Sequence, residues 1–312
     1  MADTHSALRY LDPSVIAQLA TMELRARLIV EGFITGLHRS PYHGFSVEFA
    51  EHRPYNPGDE LRHVDWKVYA KTDRFYVKQY EEETNLRNYV VLDTSPSMHY
   101  RGEGDLSKFE YGAYLAAGLH HLMLKQRDAT GLIAFDESVH TMRRPKATPG
   151  QVRQLLLTLE RLTKASADDA ERRTSAAAAL DEVAERIARR SLVVLITDLF
   201  ENIAAHDELL QALRRLRHRG HEVIVFHVLE GETERRFEFP DAPMLFRDAE
   251  TGEEMTLQPA QLREHYQEAV EHFSTRFRHA CLEHNIDFAE LDTTEPYDQA
   301  LLSYLNKRQR LI

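Results

Sequence analysis

Apolar residues recur along this chain with two different periods, and the change of period divides it. From Pro13 to His38 apolar positions fall three and four residues apart, which predicts one amphipathic helix entered through Asp12-Pro13. Over the next forty-five residues the pattern shortens to alternation. Phe45, Val47 and Phe49 alternate with polar residues, as do Phe75 and Val77, and Asn56-Pro57-Gly58-Asp59 supplies turn chemistry between these two predicted strands.

From residue 86 onward unbroken apolar runs alternate with helical patterns. The runs are LRNYVVLD, ATGLIAFD, RSLVVLITDLF, HEVIVFHVLE and IDFAEL, and SVHTMRRP is read as a short strand returning beside the second of them. Helices are predicted over SKFEYGAYLAAGLHHLMLKQ, TPGQVRQLLLTLERL, TSAAAALDEVAERIAR, HDELLQALRRLRHRG, about 259–284 and EPYDQALLSYLNKRQ, with a hairpin over MLFRDAETGEEMTL. Strands that are apolar on every residue are buried on both faces. Separated by helices, they predict a doubly wound α/β domain with a mostly parallel sheet. Its expected span is 86–312, with a hairpin insertion near 232–258, and residues 1–85 form an N-terminal helix and β extension. ASADDAERR (165–173) is the best candidate for an exposed loop.

Composition narrows the function. A 312-residue chain with 43% hydrophobic residues holds ample core, and a net charge of -11 argues against nucleic acid as the partner. The single cysteine, Cys281, forms no internal disulfide and fits a reducing cytoplasm. With no secretory pattern at the N-terminus and no run of 18 apolar residues, the expectation is a cytoplasmic protein without direct membrane insertion. The paired arginines Arg143-Arg144, Arg189-Arg190 and Arg214-Arg215 are read as solvated faces.

Chemistry concentrates at the strand ends, where open α/β sheets bind ligands. Asp93-Thr94-Ser95-Pro96-Ser97 follows the first core strand, Thr174-Ser175 opens the Ala-rich helix, and Thr197-Asp198 ends SLVVLITD. Two carboxylates and three hydroxyls suit a hard divalent cation such as Mg²⁺, which takes about six oxygens and retains water. Each piece has a plainer use: Asp93 and Ser95 suit the cap of the following helix, and Thr174 suits an N-cap. A dehalogenase-type phosphohydrolase needs a second Asp two residues after Asp93, where Ser95 stands. Glycine-rich nucleotide motifs are lacking, and the 17 histidines include no HExxH; His120-His121, adjacent on a helix, point in different directions.

Asp93-x-Ser95-x-Ser97, then Thr174, then Asp198 resembles the metal-ion-dependent adhesion site of von Willebrand factor A domains. The resemblance implies a Mg²⁺ or Mn²⁺ ion with Ser95, Ser97 and Thr174 as direct ligands and Asp93 and Asp198 acting directly or through water. It further implies that an acidic residue of a protein partner completes the coordination. Arg172-Arg173 stand where many such domains have glycines. Upstream, Glu48-Phe49, Arg53-x-Tyr55-x-Pro57-Gly58-Asp59-x-x-Arg62-x-x-Asp65-Trp66 and Lys78-x-x-x-Glu82 resemble the bacterial "domain of unknown function 58" family, which joins such a leader to an A-like domain. That resemblance implies a non-enzymatic adaptor acting with a MoxR-type AAA+ ATPase in chaperone-like assembly or maturation. The competing expectation is a metal-independent scaffold that binds partners through residues 44–83.

Overall fold

A computed structural model describes residues 13–17, 19–37, 52–54, 66–78, 86–102, 104–164, 176–199, 203–248 and 252–309. The chain divides into two compact units, one of residues 1–40 with 86–312 and one of residues 41–85. In the smaller unit β1 (His52–Pro54) pairs antiparallel with β2 (Tyr76–Lys78), and a short helix, Trp66–Thr72, lies between them in sequence. The Tyr69 and Phe75 rings stack there at 4.3 Å. The strand expected over 45–49 and the turn at 56–59 lie outside the described residues.

In the larger unit the amphipathic stretch near the N-terminus forms two helices rather than one, α1 (Pro13–Ala17) and α2 (Met22–Leu37). The break has a local cause. The Thr21 hydroxyl accepts a hydrogen bond from the Leu24 amide at 3.2 Å, which is N-cap geometry, and the Arg25 guanidinium reaches back to the Ala17 carbonyl at 3.1 Å.

Six strands then build the central sheet: β3 (Arg87–Asp93), β4 (Ala129–Phe135), β5 (Val139–Lys146), β6 (Ser191–Thr197), β7 (Glu222–Leu229) and β10 (Asp287–Asp292). Their order is β10-β7-β6-β3-β4-β5, all parallel except the edge strand β5, which returns antiparallel to β4. This is the doubly wound, mostly parallel arrangement expected from the strand–helix alternation. Between β5 and β10 the chain adds the helices Pro149–Lys164, Ala176–Arg186 and Ile203–His218, the hairpin β8 (Met244–Arg247) with β9 (Glu254–Leu257), and the long helix Pro259–Glu283.

Period-two alternation is absent from β3, β6 and β7 because both faces are covered. Tyr89, Val91, Val193, Leu195, Val223 and Val225 pack with Leu180, Leu213 and Phe277 on one side. The opposite side meets the helix Lys108–Lys125, where Gly112 admits Ile196 and Leu92: a Cβ at Gly112 would lie 3.0 Å from Ile196 Cγ2. Gly118 of the same helix lets α2 approach, since a Cβ there would meet Ile29 Cγ2 at 2.9 Å. Cys281 is fully buried, and burial pushes its thiol up to about 12, which removes it as a nucleophile at neutral pH. Among the described residues no helix is long and apolar enough to cross a membrane.

His120 and His121 part as expected, His120 fully buried and His121 partly exposed. The His120 Nδ1 lies 2.7 Å from the Thr130 hydroxyl, and burial lowers its pKa from 6.5 to about 3. The unfolded chain therefore takes up this proton near pH 6.5 and the folded chain only near pH 3. Stability from the neutral ring is complete above 6.5 and falls as pH drops through this window, by about 1.4 kcal/mol per pH unit. His120→Asn keeps a neutral partner for Thr130 and does not titrate. Urea unfolding between pH 6.5 and 4 is expected to show a shallower acid loss in this variant, by up to one proton. An unchanged slope would mean that the ring is already charged in the fold.

Candidate functional site

The strand order sets the position of the site. From β3 the chain moves to β4 and β5 on one side, then crosses to β6 and continues to β7 and β10 on the other. The carboxyl ends of β3 and β6 therefore flank the topological switch point, the place where open α/β sheets bind ligands, and Asp93, Ser95, Ser97 and Asp198 are all buried there. Leu92 pairs with Ile196, so Asp93 and Thr197 are brought level at the ends of adjacent strands.

Asp93 is 1% exposed and both of its carboxylate oxygens accept hydrogen bonds. The Ser95 amide donates to Oδ1 at 2.9 Å, and the Thr197 hydroxyl donates to Oδ2 at 2.6 Å. Burial raises the Asp93 pKa to about 7, the Asp198 carboxylate adds to the rise, and the bonds from Thr197 and Ser95 oppose it. Residues Pro96–His99 turn through one tight helical loop, with Pro96 at its start, and this carries Ser97 back towards Ser95. Their hydroxyl oxygens lie 3.1 Å apart, and both residues are buried. Two adjacent ligands of an octahedral ion at 2.0–2.1 Å are separated by about 2.9 Å, so these hydroxyls are spaced as a neighbouring pair on Mg²⁺.

Of the five residues singled out in the sequence, the fold brings Asp93, Ser95, Ser97 and Asp198 to one end of two adjacent strands. Thr174, with Arg172-Arg173, lies outside the described residues. Among the described residues no three His, Cys, Asp or Glu side chains gather as metal ligands, so this donor set depends on its hydroxyls. Asp93, with both oxygens engaged, suits a role through water.

The pattern of the sequence did not point to Lys108. This residue opens the helix Lys108–Lys125 behind a complete capping box, in which the Ser107 hydroxyl accepts from the Glu110 amide at 3.1 Å and the Glu110 carboxylate accepts from the Ser107 amide at 2.9 Å. An ammonium in the first helical turn opposes the helix dipole, and here it is also fully buried. It is held by the Asp198 carboxylate at 2.7 Å and the Glu234 carboxylate at 2.5 Å. Burial works against the charged form, but these two carboxylates outweigh it and hold the Lys108 pKa above the usual lysine value. Burial also raises the Glu234 pKa. The one sequence signal available was a lysine at the wrong end of a strongly capped helix.

Glu234 belongs to a wide turn, Gly231–Arg235, that follows β7. Its second oxygen accepts from the Glu230 amide at 2.9 Å, and the buried Glu230 carboxylate accepts from the Glu232 and Thr233 amides and from the Thr233 hydroxyl. The Thr233 hydroxyl also meets the Tyr100 hydroxyl at 2.7 Å. His227, buried in β7, places Nε2 2.9 Å from the Asp198 carbonyl oxygen, and burial lowers its pKa to about 4. Asp198 is thereby fixed by its backbone as well as by its side chain.

Comparison with known proteins gives a family and distant folds. The family described as "Protein of unknown function DUF58" matches residues 51–276. An uncharacterised protein of Mycobacterium tuberculosis is 30% identical over 264 residues, covering 83% of this chain and 78% of that protein; one from Mycobacterium bovis matches equally. Among solved structures, an aerotolerance-related membrane protein from Bacteroides fragilis superposes with a TM-score of 0.48 at 17% identity, over 72% of this chain and 99% of that one. The VWA domain of SpRpn10 gives 0.37 at 10% identity, over 69% and 92%. Neither likeness bears on function.

Proposed function

The chain belongs to the DUF58 family, and we propose that it is a non-enzymatic binding protein that captures an acidic group of a protein partner through a divalent cation held at the ends of β3 and β6. The observation that carries this reading is the pair of Ser95 and Ser97 hydroxyls, 3.1 Å apart beside the Asp93 carboxylate at the switch point of the sheet. That spacing matches neighbouring positions on an octahedral Mg²⁺ or Mn²⁺ site. Ser95 and Ser97 would hold the ion directly, with Thr174 as the third hydroxyl that the resemblance implies, and Asp93 and Asp198 would orient bound water and supply negative charge. The ion, when bound, supplies an electrophilic position for a partner carboxylate, because its protein ligands are largely neutral oxygens. The absence of a second Asp at position 95 speaks against phosphoryl transfer from Asp93.

The partner implied by the family resemblance is a MoxR-type AAA+ ATPase, or its client, presenting an acidic side chain. Affinity capture of such an ATPase by the purified protein tests this, with Mg²⁺ or with EDTA, for the wild type and Ser95→Ala. Capture is expected only with Mg²⁺, reduced at least tenfold in the variant. Equal capture with EDTA would instead assign the interface to residues 44–83 without a metal.

A further inference from the structure

A lysine whose ammonium is buried against a proposed cation site needs an account, because like charges compete for the same carboxylates. This inference rests on the reading of Asp93, Ser95, Ser97 and Asp198 as that site. We propose that Lys108 sets the affinity of the site for divalent ions, by occupying Asp198 with a fixed internal cation and so holding metal binding weak until a partner's acidic group joins.

Three observations carry it. First, the ammonium bonds directly to a carboxylate of the proposed site, at 2.7 Å from Asp198 Oδ2, and the residue is fully buried. At that depth mobile salt screens little, so its charge acts on any ion bound beside Asp198 more strongly than an exposed ammonium would.

Second, the ammonium cannot swing away cheaply. Glu234 holds it from the other side, and Glu234 belongs to a turn that is itself fixed in place. Gly231 lies so close to β10 that a Cβ there would fall 1.9 Å from Asp292 Oδ2, and a Cβ at Gly102 would fall 2.7 Å from the Glu230 side chain. Leaving both would strand the buried Asp198 carboxylate and the mostly buried Glu234 carboxylate.

Third, the position opposes a purely structural role. The first turn of a helix favours acidic side chains, and a buried ion pair adds little stability over well-packed apolar residues. The charge there is better explained by what it does to the neighbouring oxygens. Because binding free energies are reciprocal, a site that holds its ion weakly alone and firmly with an added carboxylate binds that carboxylate only when the ion is present.

The test is calorimetric titration of the full chain with MgCl₂ and with MnCl₂, for the wild type, Lys108→Met, Lys108→Arg and Glu234→Gln. Lys108→Met is expected to bind Mg²⁺ at least tenfold more tightly, with Lys108→Arg within about threefold of the wild type, since it keeps the charge. A structural role alone would not move the dissociation constant in this charge-dependent way. Equal constants for the wild type and a folded Lys108→Met overturn the proposal and leave the cation site standing. Should Lys108→Met not fold, Glu234→Gln decides: with the ammonium resting wholly on Asp198, binding weakens at least threefold, and an unchanged constant overturns the proposal. No binding by any of the four proteins would remove the cation site itself, and this inference with it.

Discussion

Mg²⁺ at ten times its dissociation constant is expected to stabilise the wild-type protein by about 1.4 kcal/mol, a rise in Tm of about 2–3 °C in a domain of this size, and Asp93→Ala is expected to abolish that rise. The reason lies in what Asp93 organises. Its carboxylate fixes the Ser95 amide at 2.9 Å and the Thr197 hydroxyl at 2.6 Å, so its removal loosens the loop that presents Ser95 and Ser97 as well as removing a negative charge. Alanine also leaves those two donors without their acceptor, at a cost of about 1–3 kcal/mol. The informative quantity is therefore the difference between EDTA and Mg²⁺ within each protein, measured by thermal unfolding, rather than the absolute Tm. A shift of the same size in Asp93→Ala would place the ion elsewhere and end the assignment of these loops.

Lys108→Met is expected to cost the metal-free protein about 3–5 kcal/mol, because it leaves the buried Asp198 carboxylate and the mostly buried Glu234 carboxylate without their shared counter-ion. Against a total stability of about 5–15 kcal/mol this is a large loss, readable as a lower urea midpoint at unchanged m. Adding Asp198→Asn and Glu234→Gln to Lys108→Met removes the stranded charges and is expected to recover most of it, since neutral groups tolerate the same burial far better. A loss below about 1 kcal/mol in the single variant would mean that the ammonium is not confined between these carboxylates.

Much of this molecule was legible along the chain. Leu92 and Ile196 sit in runs apolar on consecutive residues, and such runs mean burial on two faces whatever the partners are, so the parallel sheet followed from the pattern. Asp93, Ser95 and Ser97 were legible for a similar reason: they lie within five residues, and a tight loop after a strand leaves few ways to arrange them. The N-terminal helix was misjudged as continuous, because one apolar stripe runs through both helices while Thr21, a single capping side chain, interrupts the backbone.

Lys108 belongs to the other class. Its partners lie 90 and 126 residues away, and no local period or spacing encodes a pairing across such separations. A lysine in S-K-F-E reads as a solvated first-turn residue until the turn after β7 brings Glu234 beside it. Sequence alone thus determined the layers, the strand directions and the oxygen-rich loop at the end of the first core strand, since burial and turn chemistry are local properties. Only the tertiary structure decided that Asp198 already holds a buried cation, because the charge balance of a buried site is a sum over groups that meet nowhere in the sequence.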